Sequence, residues 1–126
     1  MKTSISKLVV SVEPVPASRP RVSKWGTYYG KRYSQFRKDA ESSLDSLGLG
    51  EPITGEISVH LEFYCKKPKT TKRDTPRGDI DNFCKGILDA ANGRVFIDDD
   101  QITKLTARKQ WEDENGPRII ITIFAS

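Results

Sequence analysis

"RGDIDNFCKGILDAANGRVFIDDDQI", residues 77–102, sets Asp79 and Asp81 at the start of a short apolar helical pattern and Asp98, Asp99 and Asp100 just past its end. Ile80, Phe83, Cys84, Ile87, Leu88 and Ala91 fall on one helical stripe, and Gly93 supplies the stop. A chain that is basic overall, with 21 Lys and Arg against 17 Asp and Glu, concentrates acid here. Each half has an ordinary structural explanation, since aspartates cap helices and favour their positive ends, and an aspartate run is turn material. Together they admit a second one. Asp79 and Asp81 are two apart, so if the backbone there is still extended both carboxylates leave the same side of it and can share a cation. Asp81 and Lys85 are four apart, so once the helix begins they lie on one flank of it, with the ammonium close to whatever the carboxylates hold.

The segments on either side fill in a fold. "GEISVHLEFYCKK", residues 55–67, alternates cleanly, with Ile57, Val59, Leu61, Phe63 and Cys65 on one face and Glu56, Ser58, His60, Glu62 and Tyr64 on the other. That predicts a strand with one face on the core, and His60 reads as a solvated or interface residue. "ISKLVVSVEP", residues 5–14, predicts a first strand ending at Pro14, with Leu8, Val10 and Val12 on one side. Residues 16–33, broken by Pro16, Pro20, Gly26 and Gly30, read as loop or short hairpin and interleave Arg19, Arg21, Lys24 and Lys31 with Trp25, Tyr28 and Tyr29. Tyr33, Phe36, Ala40, Leu44 and Leu47 then predict a helix that "GLGEP" stops. "KKPKTTKRDTPRG", residues 66–78, has six basic residues and no apolar anchor, so a mobile loop is expected. "RVFI" predicts a short strand, "ITKLTARKQWED" a longer one, Asn115 to Pro117 a turn, and "RIIITIFA" a closing strand apolar on both faces. The expected fold is α+β: one domain over residues 1–126, a mixed sheet with the helices packed on one face.

Composition excludes several classes. Two cysteines outside any CxxC and a single histidine argue against a zinc cage or a disulfide framework. The longest N-terminal apolar run is Leu8 to Val10, far short of a signal-peptide core, and no stretch is apolar enough to span a membrane, so a cytoplasmic protein is expected. A net charge of +4, with much of the acid gathered in 77–102 and at 112–114, leaves the remaining surface more basic than the total suggests; on charge alone it serves solubility first, with a polyanionic partner as the second reading.

Carboxylate oxygens are the ligands Mg2+ prefers, few in number, with water and substrate phosphate completing the shell. Aspartates beside a basic surface therefore fit phosphodiester hydrolysis, in which a bound cation reverses the sign of a site that would otherwise repel DNA. A calcium loop is excluded, because "DDDQI" lacks alternate-position ligands, a central glycine and a final glutamate.

"GDIDNFCKGILDAANGRVFIDDDQI" resembles the signature of the RusA family of Holliday-junction resolvases, in which an aspartate pair opens a helix bearing D-N and a lysine and a D-D-x-Q turn follows. "VPASRPRVS", residues 15–23, is similar to the family's early proline and R-P-R element. The resemblance implies a homodimeric endodeoxyribonuclease that makes paired nicks in four-way DNA junctions with Mg2+, Mn2+ serving as a substitute ion. It carries metal binding to Asp79, Asp81 and Asp99, a catalytic role to Lys85, and a neighbouring acid role to Asp98. Asn82 and Asp89 also match. This chain has one residue fewer than the family pattern between helix and acidic turn and has three consecutive aspartates, so Asp98 and Asp100 stand beside Asp99 as choices for the third ligand.

Phosphate contacts are expected from Arg19, Arg21, Lys24 and the loop residues Lys67, Lys69, Lys72, Arg73 and Arg77, with Lys104, Arg108 and Lys109 ranked below them. Trp25, Tyr28 and Tyr29 are available to pack or to stack on unpaired bases. Two alternatives stand against the resolvase: a metal-dependent flap or fork nuclease, and a non-catalytic DNA-binding module whose acids are only caps and turns.

Overall fold

The computed structural model describes residues 4–18, 21–24, 26–28 and 30–125, those at 4, 21–23 and 26–28 as backbone alone. Strand β1 (Ser4–Val10) is followed by a small hairpin of β2 (Arg21–Ser23) and β3 (Gly26–Tyr28), helix α1 (Lys31–Asp45), β4 (Ile57–Cys65), helix α2 (Ile80–Ala91), a 3-10 turn (Asp99–Gln101), β5 (Ile102–Trp111) and β6 (Arg118–Ala125). The main sheet runs β1-β6-β4-β5, with β6 antiparallel to both of its neighbours and β4 parallel to β5.

The pairing explains the sequence patterns. Parallel β4 and β5 require a crossover, and α2 makes it. β6 lies inside the sheet, so both of its edges are paired: Ile119, Ile121 and Ile123 join the core, while on the opposite face Ile120 is 8% exposed and Thr122 and Phe124 are half-buried. In β4 Ile57, Val59, Leu61, Phe63 and Cys65 enter the core as expected, while Ser58, expected on the solvated face, is buried at 5% exposure. The same core holds Tyr33, Phe36, Ala40 and Leu44 of α1 and Phe83, Cys84, Ile87 and Leu88 of α2, so both helices cover one face of the sheet. They approach closely at Gly86, where a Cβ would lie 3.3 Å from both Phe36 and Tyr33 ring atoms. The fold is the α+β arrangement expected from the sequence.

Three local expectations are corrected. "RVFI" is not a strand, because the N–H groups of Arg94 and Val95 are spent on the carbonyl of Ala91 at 3.0 and 2.9 Å, continuing the turn of α2. Phe96 is instead a buried plug with isolated bridges to Ile53 and Asn92. Leu47 lies beyond the end of α1 and Ile80 at the start of α2, both exposed rather than in the stripe. The 66–78 loop does have anchors, which come from the far end of β5. Trp111 donates its indole N–H to the Arg73 carbonyl at 3.1 Å, Glu112 accepts the Lys67 N–H at 2.8 Å, and Pro76 is buried. The loop has no apolar run of its own, but the β5 terminus supplies its contacts.

Candidate active site

The chain enters α2 through a constrained gate. Gly78 has φ +102°, and a Cβ there would lie 2.9 Å from a Phe83 ring atom and 3.2 Å from Pro16, so both backbone conformation and space call for glycine. Lys109, from β5, donates through Nζ to the carbonyls of Pro76, at 2.8 Å, and of Gly78. Asp79 follows as the N-cap, extended at φ −79° and ψ 136°, yet its side chain makes no capping hydrogen bond. Asp81 already belongs to the first helical turn, its Oδ1 accepting the Asn82 N–H at 3.0 Å. The extended geometry that would send both carboxylates to one side therefore ends at Asp79, and the two acids straddle the helix start.

The acidic turn is built around Gln101. Its amide oxygen accepts the Asp98 N–H at 2.9 Å, and its amide nitrogen donates to the carbonyls of Ile53 and Gly55, both at 2.9 Å. Asp98 completes a capping box, its carboxylate facing the Gln101 N–H, and also accepts the Asp100 N–H at 3.3 Å. The Asp98 carboxylate raises the pKa of Asp100, first through its charge and then through a hydrogen bond. Of the three consecutive aspartates, Asp99 is the one that lines a cavity of about 490 Å3 between α2 and β5. Asp81, Lys85 and Asp89 of α2 share that cavity, over an apolar floor of Leu105 and Ala107 from β5. Asp79 does not line it, and among the described residues no three His, Cys, Asp or Glu side chains are close enough together to hold a metal ion.

Several acids elsewhere in the fold are neutralised by arginine. Glu13, Glu41, Asp45 and Asp113 each form an ion pair with an arginine. Among the described residues, the side chains of Asp79 and Asp99 make neither an ion pair nor a hydrogen bond, and Asp81 has only the backbone N–H of Asn82. Lys85 turns toward Asp89, at 3.2 Å, which also lies 4.0 Å from Arg37. Oxygen donors that no protein cation neutralises, beside an open hollow, suit a hard divalent ion. The thiols do not, for Cys65 and Cys84 are buried and unpaired; burial pushes Cys65 up to about 11 and, with the Asp81 charge second, raises Cys84 as well.

The basic residues divide. Lys67, Lys69, Lys72, Arg73 and Arg77 are exposed on the 66–78 loop, which ends at the α2 gate. Lys24 is exposed in the β2–β3 turn, Arg21 lies in β2, and Arg19, Trp25 and Tyr29 fall outside the described residues. Tyr28 lies in β3. On β5, Lys104 and Arg108 are exposed, whereas Lys109 is spent on the gate. Lys109, expected as a lesser phosphate contact, is thus a positioning residue, as are Gly78, Gln101 and Trp111, to which the sequence assigned no such role. Gln101 was visible within the D-D-x-Q turn; nothing in the spacing of Lys109 marks it.

Among the described residues no helix is long and apolar enough to cross a membrane. An uncharacterized protein of Bacillus subtilis (strain 168), YqaN, is 30% identical over 135 aligned positions that cover 93% of this chain and 94% of that protein. The profile of endodeoxyribonuclease RusA matches residues 11–124, from the end of β1 almost to the end of β6 and across both acidic elements. With nearly its whole length matched, this chain belongs to the RusA family of endodeoxyribonucleases, the resolvases of Holliday junctions.

Proposed function

We propose that residues 1–126 form one nuclease domain that acts as a homodimer in the cytoplasm and nicks four-way DNA junctions in pairs, with Mg2+ held by Asp79, Asp81 and Asp99. The observation that carries this reading is the set of exposed carboxylates at the α2 start and the acidic turn that no protein cation neutralises, beside a basic loop. Such charge repels a phosphodiester unless a divalent ion lies between them. A bound Mg2+ would polarise the scissile phosphate, lower the pKa of water and offset charge on the leaving oxygen; Mn2+ would do the same.

The chain's own residues have separate tasks. Asp79, Asp81 and Asp99 supply oxygen ligands, and Asp98 acts on them indirectly by shaping the turn that presents Asp99. Lys85, beside Asp81 on the cavity wall, stabilises charge that develops on the phosphate, and Asp89 holds its ammonium until substrate arrives. Lys67, Lys69, Lys72, Arg73 and Arg77 bind backbone phosphates next to the cavity, with Arg19, Arg21 and Lys24 adding contacts from the hairpin region.

Incubating labelled four-way junction, replication fork and linear duplex with the protein and Mg2+ tests the reading. Paired, symmetric nicks in the junction are expected. Preferential cutting of the fork would favour a flap or fork nuclease, and intact DNA at every Mg2+ and Mn2+ concentration would leave a binding module.

A further inference from the structure

The gate that leads to Asp79 also forms part of the wall of a second, open hollow of about 300 Å3, bordered mainly by Glu13, Pro14, Pro16, the 66–78 loop and the end of β5. Pro14, Pro16, Phe83 and Trp111 give it apolar walls. Trp111 has already spent its one donor on the Arg73 carbonyl, so its indole offers only ring surface. The rim is different in kind. Lys66, Arg73 and Arg77 stand on it exposed, and the side chains of Lys66 and Arg77 have no hydrogen bond or ion pair among the described residues. Arg32 and Glu13 also border the hollow and neutralise each other at 3.1 Å. The rim is left with three cations.

Apolar walls under a cationic rim match a flat, apolar-faced group that carries phosphate on its edge, which is a nucleotide. The occupant must lie close to the cut strand, because Gly78 borders the hollow and the next residue is Asp79. Within duplex DNA every base is stacked and paired, but at a branch point a base is already partly released and costs least to extract. We propose that this hollow receives an unpaired base beside the branch point, while Lys66, Arg73 and Arg77 hold its flanking phosphates. The pocket would thereby turn branched structure into affinity without reading a base sequence, since every base has a stackable face. The inference rests on the reading of the 66–78 loop as a DNA contact, and goes beyond it by naming what enters the hollow.

The experiment compares binding, in chelator so that nothing is cut, of a four-way junction carrying normal bases at the branch with one abasic at those positions. Removing the base should weaken binding to the wild-type protein about tenfold, the scale of a lost base stack. Thr71 lines the hollow and is only partly exposed, so Thr71→Phe fills it. That variant should bind both junctions equally, at the wild type's abasic affinity, with duplex binding unchanged; Thr71→Leu carries the same comparison if circular dichroism shows the phenylalanine variant unfolded. A Lys66→Ser, Arg77→Ser protein should bind both junctions more weakly and with a shallower salt dependence. No base effect in the wild type, or an undiminished one in the filled variants, overturns the pocket. If the double-serine protein still loses affinity in that case, the loop contact stands without the pocket, whereas unchanged binding by that protein rejects the loop contact itself.

Discussion

Asp79 occupies the position from which an aspartate ordinarily accepts an N–H of the first helical turn, and it makes no such bond. Its substitution therefore separates structure from chemistry. Asp79→Asn should shift stability by less than the roughly 0.5–2 kcal/mol of a lost capping bond, as read from denaturant midpoints. Cleavage in Mg2+ should nevertheless disappear, and junction affinity measured by gel shift in Ca2+ should hold or rise, because a negative charge has been removed from a DNA-facing surface. Asp81→Asn and Asp99→Asn should behave alike, and near-normal nicking by all three would defeat the metal assignment. Lys85 provides the complementary case. Its pair with Asp89 is 63% exposed on the lysine side and so worth about 0.5 kcal/mol or less. Lys85→Gln should accordingly stay folded and bind junction within a few-fold of wild type. Its single-turnover rate should fall by about 10²-fold, the loss typical of a positioned transition-state charge. A fall of three-fold or less would reduce the lysine to a surface partner of Asp89.

At the level of elements, the start of α2 is set by residues from three other places in the chain. Gly78 turns the backbone against Phe83 and Pro16, and Lys109 on β5 holds the carbonyls of Pro76 and Gly78. Gly78→Ala combines positive φ with a 2.9 Å approach to Phe83, and a loss of about 1–3 kcal/mol is expected from the strained backbone alone. Chemical denaturation measures it. Lys109→Met keeps the length of the stem but gives up both carbonyl contacts, so the gate loosens while the exposed cations remain. Junction binding within a few-fold of wild type, cleavage reduced at least tenfold and a higher Mg2+ requirement are expected, since a displaced ligand set binds its ion less well. A proportional loss of binding and cutting with an unaltered Mg2+ profile would instead mean that Lys109 touches DNA.

For the whole molecule the governing quantity is the distribution of charge. The formal total is only +4, yet five aspartates, Asp79, Asp81, Asp98, Asp99 and Asp100, stand at the α2 start and the acidic turn while cations line the loop that leads to them. Replacing Lys67, Lys69, Lys72 and Arg73 by Ser should weaken junction binding and flatten the logarithmic salt dependence by up to about 0.9 for each phosphate contact removed. An identical salt slope would exclude the loop from the DNA path. Paired nicking also requires two equivalent sites, and an isologous dimer presents them in the two-fold relation of the junction arms. Sedimentation should show a dimer free or on junction DNA; a monomer in both conditions would contradict paired cutting by one assembly.

The sequence by itself determined those features that depend on local periodicity and residue chemistry. The alternation of 57–65, the helical stripe of 83–91 and the double-sided apolar run of 118–125 are burial patterns, and burial acts along one element at a time. The aspartates around α2 were equally legible, because their spacing and the D-D-x-Q turn lie within one continuous stretch. Tertiary structure decided what depends on partners distant in the chain. Whether Asp79 caps the helix, which of Asp98, Asp99 and Asp100 lines the cavity, and whether Lys85 turns to Asp81 or Asp89 all depend on side-chain rotamers in a packed setting. Likewise, 66–78 is polar throughout and would have nothing to hold it alone, but Lys109, Trp111 and Glu112 reach it from more than thirty residues away. "RVFI" has the composition of a strand and still forms none, because the last turn of α2 had already taken its backbone donors.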